Sequence, residues 1–367
     1  MRENTFDKVM SALINPKTQD EQEVLNKIAN EPLENKRYAI WNNKGGVGKT
    51  ALTFVLATEY ANKHPNQEVV VIDMCPQANI SEIMLGGNGK GNANLEKLIK
   101  SGNTIGGYFT QRISKPHDKT GSESSFAIQV NKYNENLPQN LHIIAGDPIL
   151  EKQVDTMTML ASVGMPRDAW KKIHSWVLDI LEGVYVNKGN RAVFFIDCNP
   201  SFSIYTKQAL VASNRLIIPC TADGSSARGV DNVASLVYGI NNDFEKFSDK
   251  LELNNVSVPK IHLVPLNKST QYDKDAAAAF QGMYNMVKER VIMLTQTQNQ
   301  LFSENGFKNT FFDVMDMHSI FVVATHEGNP IYKLKSGYHD VHNERSQVNS
   351  KNVKNYHDII EKLMYRF

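Results

Sequence analysis

The chain has 367 residues, enough for one large α/β domain or a domain with appendages, and its 40 Lys+Arg against 39 Asp+Glu leave a net charge of +1. That balance excludes a constitutive nucleic-acid coat protein and leaves room only for local basic patches. No run approaches the roughly 18 apolar residues of a membrane span, the N-terminal MRENTFDKVM has no apolar signal core, and Cys75, Cys198 and Cys220 are spaced neither as a metal site nor as a disulfide framework, so a cytoplasmic location is expected.

Residues 1–36 read as a helical arm. Phe6, Val9, Met10 and Leu13 fall at helical spacing, and Pro16 ends that element. Thr18 with Glu21 suggests a capping box for a second helix carrying Val24, Leu25 and Ile28. The arm either packs on the main body or serves a partner.

From residue 37 to 367 strands and helices alternate. Tyr38–Trp41 reads as a short buried strand and Ala51–Ala57 as a helix, and between them lies Lys44-Gly45-Gly46-Val47-Gly48-Lys49-Thr50. The ordinary phosphate-loop pattern, G-x-x-x-x-G-K-[ST], needs glycine at 43; this chain has Asn43 there and a second lysine, Lys44, at the front. Glycines allow successive N–H groups to turn toward an anion, and the helix N-terminus adds partial positive charge. Lys49 is then expected on the β/γ-phosphates and the Thr50 hydroxyl on Mg²⁺.

Further along, Val69–Ile72 ends in Asp73, with Pro76, Gln77 and Asn79 beyond. Residues 86–136, rich in Gly, Asn, Ser and Lys, read as a partly mobile surface insertion with Ile105–Phe109 as the element most expected to be ordered. Leu141–Ile144, Ala192–Ile196, Leu216–Ile218 and Ile261–Val264 are apolar strand-like runs, ending near Asp147, Asp197, Pro219 and Asn267. Helical stretches at Arg167–Leu181, Gly229–Tyr238 and Ala276–Val291 separate them. The pattern predicts an α/β fold, a mostly parallel twisted sheet with helices on both faces, whose ligands gather at the carboxyl ends of the strands. Asp197, in FFIDCNPS at the end of an apolar strand, is the expected Walker-type acid for a Mg²⁺ shell, and Asp73 is a second strand-end acid. At the C-terminus Val353, Tyr356, Ile359, Ile360, Leu363, Met364 and Phe367 form one helical stripe with few basic residues, a helix docked on the body rather than a lipid anchor.

KGGVGKT, VVVIDMCPQANIS, FFIDCNPS and IIPCTADGSSARGV, in that order, resemble the signatures of the ParA/MinD family of deviant-Walker P-loop ATPases, over roughly residues 37–367. The resemblance implies ATP and Mg²⁺ as cofactors, a homodimer that forms on ATP binding, and Lys44 reaching across to the partner's nucleotide. It implies the metal residues Thr50, Asp73 and Asp197, a nucleotide cradle of residues 44–51, and Asn267 near the adenine, although a plain strand-end turn residue is an equal reading of Asn267. Two departures stand out. Cys75 occupies the place of a family Asp that positions the attacking water, and a neutral thiol does not accept as a carboxylate does. Losing such a group costs a factor of about 10²–10⁴ in rate where it orients the water, so slow hydrolysis is expected. Ala51 stands where relatives commonly carry a hydroxyl residue, a loss of about 1 kcal/mol in nucleotide affinity for one hydrogen bond.

Two functions follow from the resemblance: an ATP-dependent dimerising switch of the partition type, acting on non-specific DNA or a DNA-bound adaptor, or a nucleotide-gated protein–protein scaffold with vestigial hydrolysis and no DNA binding. Membrane binding is not expected. A metabolic P-loop enzyme such as an amidoligase would need a second substrate motif, and none is seen. The segment 330–367 has seven basic residues against four acidic ones, a mild excess that suits either phosphates or a solvated face.

Overall fold

A computed structural model describes residues 35–367, apart from 164, 224–225, 242–245, 270–273, 305 and 316–317. The expected N-terminal helices lie outside the described residues. Nine strands form the main sheet: β1 Arg37–Ile40, β2 Glu68–Met74, β3 Ile128–Gln129, β4 Leu141–Ile144, β5 Ala192–Cys198, β6 Arg215–Ile217, β7 Cys220–Thr221, β8 Lys260–Ser269 and β9 Phe311–Met315. Their order is β3-β4-β2-β5-β1-β6-β8, with β7 and β9 both paired to β8, and only β3 runs antiparallel to its neighbour.

The central strands are apolar on both faces because helices cover both. In β5, Phe194 and Ile196 join Trp41, Val70 and Ile72 in one core layer, while Val193 and Phe195 join Tyr38, Ile40 and Val71 in the other. That is the two-residue alternation of a pleated strand buried on each side. Pro219 has no N–H to donate, and it stands between β6 and β7, which pair with successive stretches of β8.

The register decides where the site lies. Ile40 of β1 and Asp73 of β2 both pair with Asp197 of β5, so the loop after β1 emerges beside two strand-end acids. From β1 the chain crosses past β5 to β2, whereas from β5 it crosses to the other side of β1 to form β6. The loop therefore leaves the sheet where the direction of winding changes, the place such sheets use for ligands.

Ordered structure in 86–136 is more extensive than its composition suggests. Helices Lys90–Ser101 and Ile105–Ser114 occupy it, and Thr104 caps the second by accepting from Gly107 N at 3.0 Å. Tyr108 and Phe109 are fully buried, and Arg112, also buried, pairs with Asp179 at 2.7 Å between the rings of Tyr108 and Trp176. The glycines serve close approach here: a Cβ at Gly107 would stand 2.0 Å from the Gly102 carbonyl oxygen. The stretch Arg167–Leu181 holds two helices, Ala169–His174 and Trp176–Asn187, broken at Ser175.

The C-terminal helix Ser350–Met364 packs on the helix Lys49–Lys63 and on β9, with Tyr356, Ile360 and Leu363 buried. Beyond it, the Phe367 ring lies 5.0 Å from that of Tyr38, and Lys36 Nζ donates to its carbonyl oxygen at 2.5 Å. The apolar stripe is therefore turned onto the body. A hairpin of β10 Gly337–Val341 and β11 Glu344–Val348 precedes this helix. Among the described residues no helix is long and apolar enough to cross a membrane.

Candidate functional site

The loop after β1 is pinned at its start by Asn42, which is fully buried. Its Nδ2 donates to the Pro219 carbonyl at 2.9 Å and its Oδ1 accepts from Lys44 N at 3.0 Å. Gly46 and Gly48 adopt left-handed φ values of 73° and 83°, which a side chain would strain. At Gly48 space is also short, because a Cβ would meet Asn267 Nδ2 at 2.9 Å. That same Nδ2 donates to the Val47 carbonyl at 2.8 Å, so Asn267 braces the back of the loop from β8. Lys49 Nζ donates to the carbonyls of Asn42 at 3.1 Å and Lys44 at 2.8 Å, and so lies across the loop. Burial lowers its pKa, and the negative charge of Asp197 partly restores it. Gly45 and Gly46 face open space, and Ala51 offers only a methyl group at the start of the helix.

Asp197 is aimed at the loop. Its Oδ2 accepts from the Thr50 hydroxyl at 2.8 Å and its Oδ1 from the Thr53 hydroxyl at 3.3 Å. Asp73 is aimed elsewhere. Its Oδ1 accepts from Cys75 N at 3.0 Å, and its Oδ2 accepts from the N–H and hydroxyl of Ser81, at 3.1 and 2.7 Å. Ser81 Oγ also accepts from Gly146 N at 2.8 Å, which ties the ends of β2 and β4 together. Both carboxyls are buried, and burial raises both pKa values. For Asp197 the nearby Asp73 charge raises it further, while for Asp73 the Ser81 hydrogen bonds oppose the rise.

Cys75 is half-buried, and Asn199 Nδ2 donates to its sulfur at 3.6 Å. Burial first, then the Asp73 charge, push the thiol up to about 11, so it is protonated at neutral pH. Cys198 and Cys220 are buried and free, with raised pKa values from the same first cause. Lys44 turns toward the end of β7, where it forms an ion pair with Asp223 and donates to Thr221 Oγ1 at 3.3 Å.

The structure thus brings residues 44–51, Asp197, Cys75 and Asn267 to one end of the sheet, with Asp73 directly behind. Sequence reasoning missed Asn42, Ser81, Asn199 and Asp223. The signal for Asn199 was present in FFIDCNPS, two residues after the strand-end acid; that for Asp223, in TADGSS, depended on knowing that β7 ends beside the loop.

The residues present fit a nucleotide with a divalent ion. Asn43 Oδ1 and Asn267 Oδ1 are buried acceptors with no hydrogen-bond partner among the described residues, each free to receive a donor from a ligand. Thr50 and Asp197 offer the hard oxygens Mg²⁺ prefers. No cluster of three or more His, Cys, Asp or Glu residues suited to a metal occurs among the described residues. A Mg²⁺ that shares phosphate oxygens needs only one or two protein ligands.

The family model of the CobQ/CobB/MinD/ParA nucleotide binding domain matches residues 38–325. The chain belongs to this family. The family domain thus spans the loop, both strand-end acids and Asn267. A protein of Pseudomonas putida is 27% identical over 237 residues, covering 60% of this chain and 73% of that one. A crystal structure described as a plasmid partition protein of Borrelia burgdorferi bound to AMPPNP superposes with a TM-score of 0.54 at 18% identity, covering 91% of this chain and 100% of that one. An ATP complex of a substituted Cyanothece McdA gives 0.52 at 16% identity, covering 90% and 95%. At these identities the two structures speak for the fold.

Proposed function

We propose that the chain is an ATP-binding switch of the ParA partition type that dimerises with ATP, acts on DNA or on DNA-bound partner proteins, and hydrolyses ATP slowly. The observation that carries this reading is one loop holding two lysines in different settings. Lys49 is buried and bonded within the loop; Lys44 is partly exposed, at the edge, on Asp223. An edge lysine held by a partly exposed carboxylate and the Thr221 hydroxyl can exchange them for phosphate oxygens of a second subunit's nucleotide. In this reading Lys49 and the N–H groups of residues 45–50 hold the phosphates, and Thr50 with Asp197 holds Mg²⁺. When bound, Mg²⁺ supplies positive charge to the β/γ-phosphate oxygens. Asp73, whose oxygens already accept three hydrogen bonds, is assigned to fixing the turn between Cys75 and Ser81 rather than to the metal shell. Asn267 Oδ1 is the acceptor available to the nucleotide from β8.

The second reading, a nucleotide-gated scaffold with vestigial hydrolysis and no DNA binding, is favoured by one observation, the protonated Cys75 thiol at the place where the family resemblance implies a carboxylate.

Light scattering after size exclusion, with ADP and with ATP, tests the reading. The unmodified chain is expected to double in mass with ATP. Lys49→Ala removes the ammonium facing the phosphates, and is expected to lose both ATP binding and the dimer. Lys44→Ala is expected to bind ATP as a monomer. Normal ATP-dependent dimerisation by Lys49→Ala refutes the loop assignment.

A further inference from the structure

Cys75 and Asn199 leave neighbouring strands side by side, because Met74 of β2 pairs with Cys198 of β5. Asn199 precedes Pro200, which favours extended backbone at that position. Trp41, the first residue after β1, donates from Nε1 to the Asn199 carbonyl at 3.0 Å. The side chain is oriented as well. Ser201 N donates to Oδ1 at 2.9 Å, which fixes the oxygen end of the amide, and Nδ2 donates to Cys75 Sγ at 3.6 Å. Asn199 is partly exposed, at the end of the strand that lies between β1 and β2.

Hydrolysis of a phosphoanhydride needs a water turned toward the γ-phosphorus, and an acceptor for its protons sets that direction. Most acceptors at this end of the sheet are engaged. Asp197 accepts from Thr50 and Thr53, and Asp73 from Cys75 N and from Ser81. Cys75 Sγ receives Asn199 Nδ2 and the Gln77 N–H, so both lone pairs of the sulfur are used. The Ser201 hydroxyl is bonded to those of Ser203 and Tyr205, each at 3.2 Å. Asn199 Oδ1 has two lone pairs and gives one to Ser201 N, which leaves the other for a water. A carboxamide is enough for this task, since a glutamine orients the attacking water in several GTPases.

We propose that the Asn199 carboxamide orients the water that attacks the γ-phosphate. This assignment rests on the nucleotide reading above. The water oxygen bonds to the γ-phosphorus as the bond from that phosphorus to the β,γ-bridging oxygen breaks. The electron pair of that bond leaves with ADP, and one proton of the water passes to a phosphate oxygen. Asn199 sets the direction of attack and takes no proton, so hydrolysis is slow rather than absent.

The test uses the full-length protein with three probes. Mg²⁺–ATP reads turnover, AMPPNP reads ground-state binding, and ADP with aluminium fluoride mimics the phosphate in transfer. Asn199→Ala is expected to lower kcat at least about tenfold with KM for ATP unchanged. It is expected to weaken ADP–aluminium fluoride by a similar factor while AMPPNP binds as before. Asn199→Ser, whose hydroxyl still accepts from Ser201 N but reaches one bond less far, is expected to show the same loss, which separates the water from the turn. In a Cys75→Asp background, which adds a carboxylate acceptor beside it, Asn199→Ala is expected to cost less than about threefold. Equal losses in both backgrounds mark a structural role and overturn the proposal, as does a chain that binds AMPPNP but turns over no ATP. If AMPPNP binds and Asn199→Ala leaves kcat unchanged, the assignment of Asn199 alone fails. If the unmodified chain does not bind AMPPNP, the nucleotide reading itself fails and takes this assignment with it.

Discussion

At the scale of single residues, Cys75 stands where the ParA/MinD resemblance implies a carboxylate. Its sulfur lies among Asp73, Asp197 and Asn199, and the surrounding negative charge and burial keep it a thiol. A neutral thiol orients water weakly, because it is a poor acceptor and has no charge to draw a proton. Cys75→Asp is expected to raise ATP turnover at least several-fold at saturating ATP, with ATP affinity unchanged, because the new carboxylate acts on the transition state. A third acid beside two buried ones has a raised pKa, so the gain is expected to grow with pH as the carboxyl deprotonates. Brisk turnover in the unmodified chain, with no gain in Cys75→Asp, shows that another residue positions the water. The sequence made Lys44, Lys49, Thr50, Asp197 and Cys75 legible because each sits at a fixed offset from a glycine or a strand end. It could not show that Lys44 meets Asp223, or that Ser81 takes up the oxygens of Asp73. Those pairs are separated by many residues or by a turn, and only the sheet order joins them.

At the scale of elements, the strands were legible because both faces are buried, which makes each a continuous apolar run bounded by polar residues. The hairpin β10–β11 was not. Its strands, GYHDV and ERSQV, bury only their last residue, and the turn uses His342 and Asn343 in left-handed conformations rather than a glycine pair. The helix Ile105–Ser114 was legible only in part, because glycines form part of its buried face and give no apolar periodicity. The helix Lys49–Lys63 carries the site and also a buried acid, Glu59, 7% exposed, whose carboxyl burial pushes up to about 7 against the pull of Lys63. The folded state therefore holds a proton that the unfolded chain releases near pH 4.5, so this group's contribution to stability falls as pH rises from there through about 7. Glu59→Gln is expected to have little effect near pH 4.5 and to stabilise by about 1–3 kcal/mol above pH 7. Urea unfolding of both proteins across this range measures the difference, and a constant offset at every pH would show that Glu59 titrates normally.

At the scale of the whole molecule, charge bears on the choice between a DNA-acting switch and a scaffold. One copy carries a net +1, too little for phosphate attraction unless the charge is gathered on one face. The basic excess of 330–367 is only partly available. Arg366 donates to Asn309 Oδ1 and the Lys308 carbonyl, and Lys333 donates to the Asn136 carbonyl. Lys335, Arg345, Lys351, Lys354 and Lys362 are exposed. A dimer presents two such sets, so duplex DNA binding is expected with ATP and at most weakly with ADP or no nucleotide. With so few cations per copy, and acids among them, the plot of log Kobs against log salt is expected to slope no more steeply than about −5. The test is a filter-binding or anisotropy series in salt, with the three nucleotide states and a non-specific duplex. Replacing Lys351 and Lys354 together by Glu is expected to abolish binding at moderate salt while leaving the ATP dimer intact. A dimer that forms with ATP yet fails to bind the duplex at low salt would assign the chain to the scaffold reading. Equal binding in all three nucleotide states would place any DNA contact outside the control of the switch, because a single copy would then present the whole phosphate-binding surface.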